Sequence, residues 1–379
     1  MSNNIETISQ IIERITHGKS FQSQKYSYDS YPRPGINYDD KQRIEYERSG
    51  ETRPPKKPVN LKGLADDLSN SPSIFRYFLD GSRHTYKIDD ISYDKIVYPA
   101  IAGQIGVGCC RRDNKSISLE SFTTEYVVSL PDVARCNSTT WSDLLNEINT
   151  SPLLKKFQIK FDKILPYSRS GADTESEYEK HGIAKIQDEM VRLETETVAS
   201  LVRSGSLGPK DMLIKDGTIE YRDMASKKLA NNYTNVIGLS KSFNPSKCIL
   251  KNGKNNSEVI ANLSVFERTP VYMYKSEHAS SSEEKIYLGI WYVRIRSAKY
   301  THNIFDGVLK IEKILRGEEI INGLDTDQVD NITASVINER NPVCYGSDER
   351  WANHIYPIYL TESYVKSRYL SDSLFEKLF

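Results

Sequence analysis

Two aspartates, each closing an apolar run and each followed by glycine, constrain this chain more than any other feature. The first lies in Ile74-Phe75-Arg76-Tyr77-Phe78-Leu79-Asp80-Gly81-Ser82, the second in Asp211-Met212-Leu213-Ile214-Lys215-Asp216-Gly217-Thr218. Both read as buried strands that carry a carboxylate to the strand end and then turn. Between them, from about Gly182 to Arg203, lies a glutamate-rich stretch with helical spacing. Two strand-end acids and a helix acid make an oxygen-rich donor set, the kind that Mg²⁺ and Mn²⁺ prefer. Pairs of such ions drive in-line phosphodiester hydrolysis.

Each piece also has a bland reading. Asp-Gly is an ordinary turn signal. Two features favour chemistry at Asp80: the run before it is long and apolar, and the pattern of strand, Asp, Gly and hydroxyl returns at Asp216-Gly217-Thr218. Most helix glutamates are solvated, so face geometry has to choose among Glu189, Glu194 and Glu196. Ile183, Ile186, Met190, Leu193, Thr197 and Leu201 mark the apolar stripe, and Glu194 lies at its edge. Glu194 is therefore favoured, Glu196 second and Glu189 third. Lys241 follows the strand Val236-Ile237-Gly238-Leu239-Ser240. A lysine there can bind phosphate or position water, or be a plain surface residue. The series Gly103, Gly106, Gly108 lacks the Gly-Lys-Ser/Thr ending of a phosphate loop and reads as strand bends.

Further organisation follows from periodicity. Ile8, Ile11, Ile12 and Ile15 predict a short amphipathic helix. Residues 18 to 60, tyrosine-rich, charged and carrying Arg53-Pro54-Pro55-Lys56-Lys57-Pro58, read as an arm outside the core. The expected division is an N-terminal helix and arm over 1–65 and one α/β unit over 66–379. Strands are expected at Phe75 to Asp80, Ile96 to Val107 (broken by Pro99 and glycines), Ser121 to Leu130, Asp211 to Asp216, Val236 to Leu239, Ile286 to Arg296 and Leu309 to Leu315. Helices are expected at Trp141 to Phe157, Lys180 to Arg203, Asp330 to Arg340 and Thr361 to Phe379. Three early strands, a helix, then further strands and helices predict an α/β layer with a mixed sheet. Ser276 to Lys285 reads as an exposed hairpin tip.

The 379 residues hold 51 Lys plus Arg against 51 Asp plus Glu. Zero net charge gives no support for non-specific nucleic-acid binding, so a local groove or a partner must supply phosphate affinity. No apolar run reaches the about 18 residues of a membrane span, and Met1 to Ser20 lacks an apolar signal core. Five scattered cysteines, Cys109, Cys110, Cys136, Cys248 and Cys344, fit a reduced compartment, and a cytoplasmic location is expected.

Taken in order, the motifs resemble the NurA nucleases, partners of the HerA hexameric DNA translocase. Phe78-Leu79-Asp80-Gly81-Ser82 resembles that family's first strand, and Arg192-Leu193-Glu194 its helix acid. Leu213-Ile214-Lys215-Asp216-Gly217-Thr218-Ile219 resembles its second acidic strand, and Val236-Ile237-Gly238-Leu239-Ser240-Lys241 the strand after which a lysine follows. Trp291-Tyr292-Val293-Arg294-Ile295 and Tyr356-Pro357-Ile358-Tyr359-Leu360 extend the likeness over roughly residues 70 to 370. The family's histidine after the Tyr-Pro segment has no counterpart; Ser363-Tyr364 stands in its place, and His354 is the nearest histidine. The resemblance implies an RNase H-like fold, a homodimer, a HerA-type ATPase as partner and DNA end processing in repair or antiphage defence. It further implies Mn²⁺ or Mg²⁺ held by Asp80, Glu194 and Asp216, with Lys241 on phosphate. The rival expectation is an inactive scaffold subunit that keeps the fold; a transposase or Argonaute-like relative is a weaker third, since those carry more Lys and Arg.

Overall fold

Apolar spacing and caps place the elements. The computed structural model describes residues 6–29, 44–135, 140–171, 174–220, 227–245, 248–250, 253, 255–276, 286–301, 303–340 and 351–379. Helix α1 (Ile8–Thr16) buries Ile8, Ile11 and Ile12 and is closed by a Thr7–Gln10 capping box. Strand β1 (Ile44–Ser49) follows. Then come three long strands, β2 (Phe75–Tyr93), β3 (Ile96–Asp113) and β4 (Ser116–Pro131), and the short β5 (Lys163–Tyr167). Helix α2 (Glu175–Arg203) starts at a Thr174–Glu177 capping box. Strands β6 (Met212–Asp216), β7 (Val236–Ser240), β8 (Tyr272–Lys275), β9 (Tyr287–Arg294) and β10 (Val308–Ile314) precede helices α3 (Thr326–Asn338) and α4 (Tyr356–Lys366).

The strands join in one 15-stranded sheet. β2, β3 and β4 form an antiparallel meander; β6 runs parallel to β2 on the other side, and β7 runs parallel to β6. Counted in chain order these five strands stand third, second, first, fourth, fifth, the order of an RNase H-like sheet. β10, β9, β8 and β1 extend it antiparallel beyond β7. The result is the expected mixed sheet flanked by helices. On one face α2 packs Ile186, Met190, Leu193, Val198 and Leu201 against Leu79 and Leu213. On the other, Val329, Ile332 and Ile358 from α3 and α4 meet Phe78, Ile214, Ile237 and Leu239. Side chains alternate between these faces along each strand.

Several expectations change. β2 does not end at Asp80: it runs on to Tyr93, and Asp80 pairs with Gly108 within the ladder. β3 is unbroken through Pro99 and the glycines, which are not bends. A Cβ at Gly103 would stand 2.8 Å from Ile186 of α2, and Cβ atoms at Gly106 and Gly108 would stand 2.6 and 2.7 Å from Val365 of α4. The glycines let both helices sit close to the sheet. The segment read as an arm also enters the core: β1 pairs with β8, Tyr46 is buried, and Glu51 pairs with the fully buried Arg268 at 3.0 Å. The stretch Trp141 to Phe157 divides into two helices at Ser151. Residues 277–285 of the expected hairpin tip lie outside the described residues.

Candidate active site

The two Asp-Gly pairs, alike in sequence, do different things. Asp216 ends β6, and Gly217 takes φ +81°, a left-handed turn that glycine permits. Gly81 stays in the strand, where a Cβ would stand 2.9 Å from Cδ of Glu194. Here glycine makes room for an acid rather than a turn.

Alternation fixes the faces. Phe78 and Ile214 face α3 and α4, so Asp80 and Asp216, two residues on, do the same. Leu239 shares that face and so does Lys241, just past β7. Lys241 Nζ lies 3.0 Å from Asp216 Oδ2 and 3.1 Å from Glu362 Oε2, the latter projecting from α4. Glu194 approaches from the α2 side. It is 1% exposed and pairs with Lys215 at 3.3 Å; Lys215 also donates to the Asp216 carbonyl at 2.6 Å. The structure thus gathers Asp80, Asp216, Lys241 and Glu362 on one face, and Glu194 approaches Gly81, the neighbour of Asp80, from the other.

The charges act on one another. Burial raises the Asp80 carboxyl well above its ordinary value, Asp216 raises it further, Lys241 opposes, and Glu362 and Glu194 add to the rise. Asp80 is 4% exposed, and its Oδ2 has no hydrogen-bond partner among the described residues. Burial would raise the Glu362 carboxyl too, but the ammonium groups of Lys241 and Lys366 overcome it and hold it at about 2.

Of the three helix glutamates, Glu194 is buried and Glu196 is 62% exposed in an ion pair with Arg192. Glu189, ranked last, is more buried than Glu196 and pairs with Lys163 and Arg192 at 2.5 Å, away from Asp80. Glu362 is the residue that sequence reasoning missed. It lies four after Ile358 and beside Thr361 and Val365, at the edge of the buried stripe of α4. The same edge rule that picks Glu194 would have found it. The two candidates for the missing histidine have ring contacts of their own. Tyr364 packs edge-on against Phe122 at 5.4 Å, and the His354 ring lies 5.5 Å from Tyr359.

The donor set fits a hard divalent cation. Every candidate ligand is a carboxylate, and the buried Asp80 Oδ2 is an acceptor awaiting a partner. As the side chains stand, no three His, Cys, Asp or Glu among the described residues are close enough to hold one ion. Lys241 lies between Asp216 and Glu362, and Lys215 draws Glu194 to itself.

No family model and no curated protein matches the chain. Among solved structures it is similar to the crystal structure of the NurA nuclease from Sulfolobus solfataricus, with 10% identity over 80% of this chain and 82% of that one, at a TM-score of 0.42. A likeness that distant carries no argument about chemistry. No described helix is long and apolar enough to cross a membrane.

Proposed function

We propose that this chain is a divalent-metal-dependent deoxyribonuclease. The observation that carries the reading is that the carboxylates of Asp216, Glu362 and Glu194 lie near enough to Asp80 to raise its carboxyl, with Lys241 paired to two of them. Mn²⁺ or Mg²⁺ would be held by Asp80, Glu194 and Asp216, with Glu362 beside them. Such an ion, when bound, activates water and stabilises charge on the phosphate.

The chain's own residues supply the rest. Asp216 and Glu362 hold the Lys241 ammonium within reach of a phosphate oxygen, where it offsets the charge that develops during hydrolysis. Lys215 ties Glu194 to the carbonyl of Asp216, so the helix acid and the strand-end acid keep one geometry. In this reading zero net charge is no obstacle. A ring-shaped HerA-type ATPase feeds DNA to a homodimer, and the affinity for DNA resides largely in the complex.

The test is a cleavage assay on the purified chain with and without Mn²⁺ and a HerA-type ATPase, beside Asp80→Asn. Expected is cleavage that needs the ion, grows with the ATPase and is lost in Asp80→Asn. Cleavage without the ion, or unchanged in Asp80→Asn, overturns the reading. Light scattering is expected to give about twice the 43.3 kDa of one chain.

One observation favours a second reading, a non-catalytic scaffold: Lys215 and Lys241 already form ion pairs with three of the acids. No cleavage with any divalent ion, while DNA or the ATPase still binds, is its signature.

A further inference from the structure

Lys241 is a buried cation among acids. Its ammonium bridges Asp216 at 3.0 Å and Glu362 at 3.1 Å, and its charge also acts on Asp80. Carboxylates this close repel one another, so the folded chain needs a counter-charge among them. Asp216 and Glu362 keep 21% and 13% of their side chains exposed, so solvent reaches the ammonium's two partners.

The two lysines of the site are held differently. Lys215 pairs with Glu194 and also donates to a backbone carbonyl, that of Asp216. Lys241 joins two carboxylates, the acceptors that a hard divalent ion takes as well. The backbone of Lys241 is pinned. The buried Asn353 donates from Nδ2 to the Lys241 carbonyl and, at 3.2 Å, to that of Val308, and it accepts from the Gly307 amide. The end of β7 therefore stays in place, while the flexible lysine stem can turn.

We propose that Lys241 is an exchangeable counter-ion: its ammonium keeps the acids paired in the ion-free chain, and a divalent cation takes Asp216 from it on binding. Lysine and ion are then alternative partners of one carboxylate, and each weakens the hold of the other. The displaced ammonium turns to the solvent side, so its contact with a phosphate forms only once the ion is in place. The proposal rests on the divalent-ion site of the nuclease reading and not on cleavage itself.

The test compares the unaltered chain with Lys241→Met. Calorimetric titration with Mn²⁺ gives Kd and thermal unfolding gives Tm. NMR of nitrogen-labelled lysine with Mg²⁺, which is not paramagnetic, follows the ammonium directly. Without ion, Lys241→Met is expected to melt lower, since the acids lose a counter-charge. Its Kd for Mn²⁺ is expected to fall about tenfold, and saturating Mn²⁺ to raise its Tm by more than that of the unaltered chain. The ammonium resonance that Lys241→Met lacks is expected to vanish from the unaltered chain at saturating Mg²⁺, because a released ammonium exchanges its protons with water. Persistence of that resonance with the ion bound, or a Kd that does not fall, overturns the proposal. Where Lys241→Met does not fold, Lys241→Gln, which keeps a hydrogen-bond donor, takes its place with the same outcomes. A chain that binds neither ion overturns the proposal and the metal-dependent reading together. Ion binding with loss of the resonance but no cleavage, the HerA-type ATPase present, overturns the nuclease reading and leaves the exchange standing.

Discussion

Glu312 holds Thr218: its carboxylate accepts from the Thr218 hydroxyl at 2.8 Å and, with the same oxygen, from the Ile219 amide at 2.9 Å. A buried acid on β10 thereby fixes the turn that follows Asp216. Gly238 lies beneath that turn, where a Cβ would stand 2.9 Å from the Gly217 carbonyl. Glu312 is 2% exposed and pairs with Lys310 at 2.9 Å. Burial works to raise its carboxyl, but Lys310 and these hydrogen bonds hold it below the ordinary value.

Glu312→Gln is expected to destabilise the protein by about 3 kcal/mol, because it removes the buried carboxylate that faces Lys310 at 2.9 Å. The double variant Lys310→Met with Glu312→Leu is expected to regain most of that stability and yet cleave at least about tenfold more slowly, since Thr218 and Ile219 then lack their acceptor. Urea unfolding and cleavage rates on the three proteins check this. Wild-type cleavage by the double variant would show that the turn needs no such anchor.

Glu194→Gln is expected to lower cleavage at least about tenfold. Glu196→Gln is expected to stay within about twofold, because an exposed ion pair with Arg192 contributes only about 0–1 kcal/mol. Equal losses, or the reverse order, would remove Glu194 from the site.

Gly108→Ala places a methyl 2.7 Å from Val365 Cγ2. Such overpacking is expected to cost about 1–3 kcal/mol and to shift α4, and Glu362 with it, away from Lys241. Adding Val365→Ala is expected to restore both stability and cleavage partly. Thermal melts of the two single variants and the double give the coupling; strictly additive losses would mean that the two residues do not press on each other.

Burial pushes the Glu220 carboxyl up to about 7, with Ser276 working against the rise and Glu312 adding to it. A folded value above the ordinary 4.5 means that the native state binds more protons than the unfolded chain in between. The associated stability is full below about 4.5 and is lost as pH rises through about 7. Glu220→Gln is expected to flatten that slope and to be more stable than the unaltered chain at pH 8, by on the order of 2 kcal/mol. Urea midpoints at pH 4.5 and pH 8 measure it, and an unchanged slope would place the titration elsewhere.

The core elements were legible because their apolar runs are long: β6, β7, β9 and α2 all lie where periodicity places them. Asp80 was misplaced because Asp-Gly is a local turn signal, whereas its conformation is set by pairing with Gly108, a residue distant in sequence. The strand β1 was missed because its buried Tyr46 stands between the charged Glu45 and Glu47, which hide the strand pattern. Glu362 was missed because Glu362 and Lys366, four apart on a helix at 2.7 Å, look like an ordinary surface pair. Its second contact, to Lys241, joins segments that only the folded chain brings together.

The backbone ladder of the sheet passes from the β2–β4 meander to the β8–β10 half through β6 and β7, and no other strand pair bridges the two halves among the described residues. That seam also carries the acids. Opening it severs the sheet, so fluctuations that would loosen Asp216 cannot occur as small local events. The amides of Leu213 to Lys215 and Ile237 to Leu239 should therefore exchange with deuterium only when the molecule unfolds as a whole. Catalytic competence and the folded state would then vanish at the same temperature, with no intact but inactive intermediate between them.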